Sequence, residues 1–301
     1  MTLPKFFKAT PGSRHSPDWR NHPNPGSLTI LEKPTTGGQA VVCKVKVNAS
    51  RETRALKVYK SNRETSGARE QLENELRANF PDQHFVNPIA ACQISTIRDA
   101  ILLPWIDGGT LKSYVSGSPD KPQRSHLMRE IADAVAYLHH DVLWLHNDLK
   151  PSNIMVVDSG QSVDIRIIDF ALGCPISEVT NSFRGRSDLQ GVEEWVAPEL
   201  HRYKDGGIQN ASVQSDVWAL GCVLLYILTE KTLWEYIGMG VEEDANRFLD
   251  LCETSLEDSE PIADFQSLNC PVQLRDTISR CLNVDSEQRP TARDVASVLR
   301  P

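Results

Sequence analysis

The stretch that decides the fold is residues 146–153, His146-Asn147-Asp148-Leu149-Lys150-Pro151-Ser152-Asn153. It places a carboxylate, an ammonium and a side-chain amide close together, at Asp148, Lys150 and Asn153. A carboxylate can orient a hydroxyl and accept its proton, and an amide oxygen can bind a hard metal ion. An ammonium two residues after the carboxylate can neutralise a phosphate in transfer. The run therefore indicates phosphoryl-transfer chemistry.

A second acidic position follows the loop, in Ile167-Ile168-Asp169-Phe170-Ala171. Here an apolar strand ends in a carboxylate. Because magnesium prefers oxygen ligands, Asp169 and Asn153 are the candidate metal ligands.

Residues 146–153 resemble the catalytic loop of eukaryotic protein kinases, whose usual form is HRDLKxxN, and residues 169–171 resemble the DFG motif. Lysine two residues after the aspartate resembles the serine/threonine-specific subgroup. The resemblance implies ATP and Mg²⁺ as cofactors and a protein substrate. It also implies that Asp148 and Lys150 are catalytic, and that Asn153 and Asp169 hold metal.

Lys57, in Ala55-Leu56-Lys57, resembles the VAIK lysine that pairs with the α- and β-phosphates. The helix predicted at Ser66–Phe80 offers three candidate partners for it. We favour Glu73, because Leu76 and Phe80 then share its face at three and seven residues further on. Glu75 and Glu70 remain alternatives.

The phosphate-covering loop fits its usual form GxGxxGxV poorly, with one glycine aligned, at Gly37. The stretch from Leu103 to Leu111 resembles the hinge, with Leu103 as gatekeeper. Adenine would pair with the Pro104 carbonyl and the Ile106 N–H. Besides Lys57 and Glu73, the resemblance implies nucleotide contacts at Gly37, Gly38, Val42, Ala55, Leu103, Pro104 and Ile106.

Three further motifs follow in the family's order, which makes the resemblance specific. Residues 195–199 resemble the APE end of an activation segment, residues 216–221 resemble DVWSxG, and residues 285–291 resemble DPxxRPT. In the family, the residues that match Glu199 and Arg289 form a buried ion pair. The resemblance covers roughly residues 28–300.

The fold class predicted is α+β, a bilobal protein kinase-like fold. A Pro-rich flexible arm at 1–27 precedes a smaller lobe at 28–106, with a small antiparallel sheet and one helix. A larger, mainly helical lobe follows at 107–301, so that 28–301 form one kinase domain. Helices are predicted at Ser125–His140, Ser215–Leu228, Glu242–Cys252, Val272–Cys281 and Ala292–Leu299.

Composition limits the partners and the compartment. The formal net charge of −8 argues against a dedicated nucleic-acid binder, and the apolar runs are too short to span a membrane. Seven cysteines without metal-ligand spacing suit reduced thiols in the cytoplasm or nucleus. The oligomeric state stays open.

Three departures from the family pattern keep alternatives open. Asn147 replaces the arginine that often holds a phosphorylated activation-loop residue, Ala171 replaces a glycine, and Val192 replaces a threonine. They leave open a pseudokinase scaffold that binds nucleotide weakly, and a small-molecule kinase is a third alternative. Without that arginine, we expect little dependence on phosphorylation of Thr180, Ser182 or Ser187.

Overall fold

The structure is a computed structural model that describes residues 28–36, 40–59, 68–95, 98–117, 119–179, 193–201, 211–239 and 245–300. The predicted arm at 1–27 lies outside the described residues. The chain divides into two compact units. The first runs to Asp107 and includes Ile167–Gly173, and the second contains Gly108–Arg166 and the chain from Cys174 onward.

The first unit contains a six-stranded antiparallel sheet. Its strands are β1 (Leu28–Ile30), β2 (Thr35–Thr36), β3 (Ala40–Val47), β4 (Thr53–Tyr59), β5 (Ala90–Ser95) and β6 (Arg98–Pro104). Their order is β1-β3-β4-β6-β5, with β2 beside β3. Arg98 and Asp99 belong to β6.

One helix, α1 (Ala68–Arg77), packs on this sheet. It ends at Arg77 rather than at the predicted Phe80, because the Asn87 side chain takes over the backbone of Phe80. Asn87 accepts the Phe80 N–H at 2.8 Å and donates to its carbonyl at 2.6 Å. Phe80 thus leaves the helix and packs its ring edge-on against Phe85 and Phe170.

The segment 167–173 belongs to the first unit through backbone pairing. Ile167 donates to the His84 carbonyl at 2.7 Å and accepts from Val86 at 3.2 Å. The predicted division of the chain at a single point, between residues 106 and 107, places this segment in the second unit instead. The pairing places Asp169, two residues further on, in the same unit as Lys57.

The second unit is mainly helical, as predicted. Its helices are α2 (Leu111–Ser116), α3 (Lys121–Tyr137), α4 (Pro198–His201), α5 (Val213–Thr229), α6 (Leu233–Tyr236), α7 (Ala245–Asp258), α8 (Val272–Cys281) and α9 (Ala292–Leu299). Its short strands are β7 (Gly109–Thr110), β8 (Trp144–Leu145), β9 (Ile154–Asp158), β10 (Val163–Ile167) and β11 (Cys174–Pro175). They pair as β10-β9-β7 and β8-β11.

Helix α3 begins four residues before its predicted start at Ser125. Asp120 and Gln123 form a capping box, and Pro122 lies in the first turn, where its missing N–H costs nothing. Helices α8 and α9 have their predicted bounds. Helix α5 is the central helix, and its residues from Ser215 to Ile227 are all buried. Among the described residues, no helix has the length and apolar character needed to cross a bilayer.

Candidate active site

Lys57 lies in β4, between Val42 of β3 and Ile101 of β6. Its ammonium is buried and contacts two carboxylates. The Nζ atom lies 2.6 Å from Glu75 Oε2 and 2.7 Å from Asp169 Oδ1. Burial alone would lower the pKa of Lys57, but Asp169 and Glu75 together raise it. The lysine is therefore held as a cation.

The prediction that Glu73 is the partner of Lys57 is wrong. The carboxylate of Glu73 pairs instead with Arg69 at 3.1 Å, one turn earlier on the outer face of α1. The prediction used Leu76 and Phe80 as the buried face, but Phe80 lies beyond the end of the helix. The residues that α1 buries are Ala68, Gln71, Leu72, Glu75 and Leu76. Their i, i+3, i+4, i+7 spacing is the sequence signal that identifies Glu75.

Tyr59 is a residue of this cluster that the sequence reasoning missed. It is buried and its hydroxyl donates to Glu75 Oε2. Alternate residues of a strand share a face, so Tyr59 lies on the same face of β4 as Lys57. The sequence signal for this contact is the spacing, since a tyrosine two residues after a strand lysine lies on the same face as that lysine.

Asp169 adopts a left-handed backbone, with φ of 68°. Non-glycine residues seldom adopt this conformation, and observed cases cluster at functional sites. The neighbouring Phe170 packs edge-on against Phe80 and Phe85. Next to it, the Ala171 carbonyl accepts from Asn74 Nδ2 of α1 at 3.2 Å. Asp169 is thus held next to Lys57 by contacts of the two residues that follow it in sequence.

The methyl group of Ala171 is buried in an apolar cluster with Tyr59, Ala68, Leu72, Leu76 and Ile101. A glycine at this position would leave that volume empty. The departure from the DFG pattern therefore has a packing role in this chain.

In the second unit, Asp148 forms the centre of a smaller polar cluster. Its Oδ2 accepts from Lys150 Nζ at 2.8 Å and from Asn153 Nδ2 at 2.9 Å. Asn153 Nδ2 also donates to the Asp148 carbonyl at 2.8 Å. Because these bonds use the nitrogen, Oδ1 is the Asn153 atom that a metal ion would contact. The structure brings the predicted Asp148, Lys150 and Asn153 together.

Asp216, near the start of α5, fixes the beginning of this loop. It is buried and accepts the backbone N–H of His146 at 2.8 Å and of Asn147 at 2.9 Å. His139 Nε2 lies 3.0 Å from Asp216 Oδ2, the oxygen that also accepts the His146 N–H. Burial would raise the pKa of Asp216, but the hydrogen bonds and charges of His139 and His146 lower it overall. Asn147 has a left-handed backbone, with φ of 62°. The bonds from its own N–H and from the His146 N–H to Asp216 hold it in this conformation.

Three of the remaining predicted nucleotide contacts, Val42, Ala55 and Leu103, lie on one face of the first sheet. Val42 is directly opposite Lys57, and Ala55 is directly opposite Leu103. Ala55 and Lys57 alternate along β4, so all four side chains share a face. Pro104 ends β6 and Ile106 follows it, half-buried. Gly37, Gly38 and Val192 lie outside the described residues.

The residue types at the two predicted metal positions suit Mg²⁺, since Asp169 offers a carboxylate and Asn153 a side-chain carbonyl oxygen, both hard donors. In the first unit, Glu75 and Asp169 carry two negative charges against one from Lys57, and a hard cation would balance the second. In the described part of the chain, no group of three or more His, Cys, Asp or Glu side chains is arranged to hold a metal ion.

The chain matches the family model of the protein kinase domain over residues 29–298. It belongs to the protein kinase domain family. The kinase fold expected from the sequence is therefore confirmed. So is the predicted ion pair between Glu199 and Arg289, which is bidentate, with Arg289 nitrogens 2.6 Å and 2.8 Å from the Glu199 oxygens.

Similar kinases include mitogen-activated protein kinase kinase 2 of Arabidopsis thaliana, 29% identical over 80% of this chain and 63% of the relative. Mitogen-activated protein kinase kinase SIPKK of Nicotiana tabacum is 29% identical, over 80% of this chain and 64% of its own length. The probable serine/threonine-protein kinase fhkD of Dictyostelium discoideum is 32% identical over 65% of this chain and 26% of its own length. The chain spans less than two thirds of the length of each of these relatives.

Glu75→Ala should destabilise the protein by about 2 kcal/mol, because the buried donors of Lys57 and Tyr59 lose the acceptor that they share. Glu73→Ala is the matched control, and it should change the unfolding free energy by less than about 0.5 kcal/mol. Urea unfolding at neutral pH measures both. Equal losses in the two variants would contradict the assignment of Glu75.

Asp216→Asn should cost about 3 kcal/mol at neutral pH, because a buried, charge-assisted acceptor is lost. The lowered pKa of Asp216 means that its contribution is present above the ordinary value of 3.8 and is lost as the pH falls through the folded-state pKa. The difference in unfolding free energy between wild type and variant should therefore become smaller below about pH 4. Unfolding midpoints at pH 3 and pH 6 test this.

The control is Asp133→Asn, which removes the carboxylate of an exposed pair with Arg300. It should have little effect at either pH. If the difference in unfolding free energy between wild type and Asp216→Asn does not change with pH, Asp216 does not stabilise the fold as a charged carboxylate.

Proposed function

We propose that this protein is an ATP-dependent protein kinase that transfers the γ-phosphate of ATP to serine or threonine hydroxyls of proteins. The observation that carries the proposal is the Asp148 cluster, in which one carboxylate oxygen receives both Lys150 and Asn153. Membership of the protein kinase domain family supports it. The name of the similar kinase fhkD supports the choice of a serine or threonine acceptor.

Each residue has a proposed role that follows from its chemistry. Asp148 orients the acceptor hydroxyl and takes its proton, and Lys150 neutralises charge on the group in transfer. Lys57 binds the α- and β-phosphates, since its ammonium is held in place by Glu75. Asp169 and Asn153 are the proposed Mg²⁺ ligands, through Oδ atoms. Bound MgATP supplies the phosphoryl group.

The adenine contacts are also proposals. The shared face of Val42, Ala55 and Leu103 next to Lys57 suits a flat apolar ring. The Pro104 carbonyl and the Ile106 N–H are the proposed hydrogen-bonding partners, and Gly37 and Gly38 are the proposed phosphate-covering glycines. Free thiols at Cys43, Cys222 and Cys281 suit the reducing environment of the cytoplasm or nucleus, where we propose that the kinase acts.

Asp148→Asn should lower the turnover number by a factor of about 10² to 10⁴, because the proton acceptor is lost. Transfer of radiolabelled phosphate from ATP to a generic protein substrate measures it. MgATP binding, followed by calorimetry, should remain within about threefold of wild type, since Asp148 is not proposed to hold the nucleotide.

The same assay separates the kinase from a pseudokinase scaffold. Wild-type transfer above the level of Asp148→Asn supports the kinase. Metal-dependent ATP binding by the wild type with no transfer above the variant would overturn the proposal and favour the scaffold. The family membership and the named relatives favour the enzyme.

Asn147 favours activity that does not depend on a phosphorylated activation segment. It is uncharged and buried, and its Nδ2 lies 3.6 Å from Cys174 Sγ. A charge-assisted bond to a phosphate requires a cation at this position. The residues Thr180, Ser182 and Ser187 lie outside the described residues.

The triple variant Thr180→Ala, Ser182→Ala, Ser187→Ala should therefore keep its specific activity within about threefold of wild type. Initial rates of the two proteins, each first treated with a phosphatase or left untreated, provide the comparison. A large loss on either the substitution or the phosphatase treatment would contradict this expectation.

A further inference from the structure

Tyr59 occupies a special position beside the proposed phosphate-binding lysine. It is the last residue of β4, is 2% exposed, and donates its hydroxyl to the same Glu75 oxygen that receives Lys57. Its ring lies 5.3 Å from Lys57 Nζ. One tyrosine thus contacts both members of the buried ion pair.

Glu75 needs a second donor because Lys57 is shared. The ammonium bonds to both Glu75 and Asp169, so two carboxylates depend on one cation. Burial raises the pKa of Glu75 and so does the nearby Asp169, whereas Lys57 and the Tyr59 hydroxyl oppose that rise. A carboxylate buried in this way is stable in its charged form only when it is well supplied with donors.

The tyrosine ring is itself fixed. It belongs to an apolar cluster with Ala68, Leu72 and Leu76 of α1, Ile101 of β6 and Ala171. The hydroxyl therefore reaches Glu75 from a ring that already packs against the helix carrying Glu75. Ala171, which departs from the DFG pattern, has its methyl group in the same cluster.

We propose that Tyr59 is a positioning residue, which keeps Glu75 and α1 in place while Lys57 binds the phosphates of the nucleotide. The inference rests on the proposed kinase function. When Lys57 directs one of its three N–H donors to a phosphate, the hydroxyl of Tyr59 continues to bond Glu75. The tyrosine does not contact the reacting atoms.

The test uses the full chain with Tyr59→Phe, which keeps the ring and removes the hydroxyl. Tyr236→Phe is the matched control, since the Tyr236 hydroxyl also makes two contacts, to Ser267 and to the Asp264 carbonyl, in the second unit. Tyr59→Phe should lower kcat/KM for ATP by about tenfold, because a hydrogen bond to a charged group is lost. The KM for the protein substrate should stay unchanged, and Tyr236→Phe should match wild type.

A second readout needs neither nucleotide nor activity. The titratable groups that face Glu75 are Lys57 and Tyr59 of β4 and Asp169 of the segment 167–173. Without the hydroxyl, the pKa of Glu75 should rise further above its ordinary value of 4.5. A raised folded-state pKa means that ionising Glu75 costs stability as the pH rises. The stability gap between wild type and Tyr59→Phe should therefore be larger at pH 8 than at pH 5.

The same comparison is made in the Glu75→Gln background, where the acceptor is uncharged. In that background, the factor by which Tyr59→Phe changes the equilibrium constant of unfolding should be several-fold smaller. If Tyr59→Phe alone does not fold, Glu75→Gln is compared with the double variant Glu75→Gln, Tyr59→Phe at lower temperature. A double variant that does not fold either would overturn the proposal.

The outcomes separate the two proposals. A pH-dependent gap with no phosphoryl transfer by the wild type would overturn the kinase function and leave the Tyr59–Glu75 contact standing. Transfer by the wild type, with Tyr59→Phe equal to Tyr236→Phe in kcat/KM for ATP and in the pH dependence of stability, would overturn the positioning role alone.

Discussion

The buried ammonium of Lys57 is the constraint on which the first unit depends. Transfer of an unpaired charge from water into an apolar interior costs several kcal/mol, and Lys57 is buried in the middle of the six-stranded sheet. Its two carboxylate partners must therefore come from elsewhere in the unit. One comes from α1 and the other from the segment 167–173. Both elements are consequently fixed to the same strand.

Several features that look independent follow from this requirement. The left-handed backbone of Asp169 directs its carboxylate to Lys57, and the bond from Asn74 to the Ala171 carbonyl ties that segment to α1. The hydroxyl of Tyr59 supplies the additional donor that Glu75 needs. In the second unit, Asp216 has the reverse role, since a buried carboxylate there gathers backbone N–H groups of the loop that carries Asp148.

The sequence predicts the family, the sheet and most helices because motif order and apolar periodicity are local signals. It also predicts Asp148, Lys150 and Asn153 as neighbours, because they are close in sequence. It fails at Glu73 because the end of α1 is set by Asn87, ten residues beyond the helix, whose amide captures the backbone of Phe80. Tyr59 and the segment 167–173 were missed for the same reason, since their contacts are made with residues distant in the chain.

The central proposal is that Lys57, held by Glu75, would bind the phosphates of a nucleotide and that Asp169 and Asn153 would hold its metal ion. A crystal structure of the full chain with Mg²⁺ and a non-hydrolysable ATP analogue tests it most directly. The account predicts Lys57 Nζ within hydrogen-bonding distance of Glu75 and of a phosphate oxygen, with Asp169 and Asn153 oxygens as metal ligands. Lys57 paired with Glu73, or a metal ion bound without Asp169 and Asn153, would contradict it.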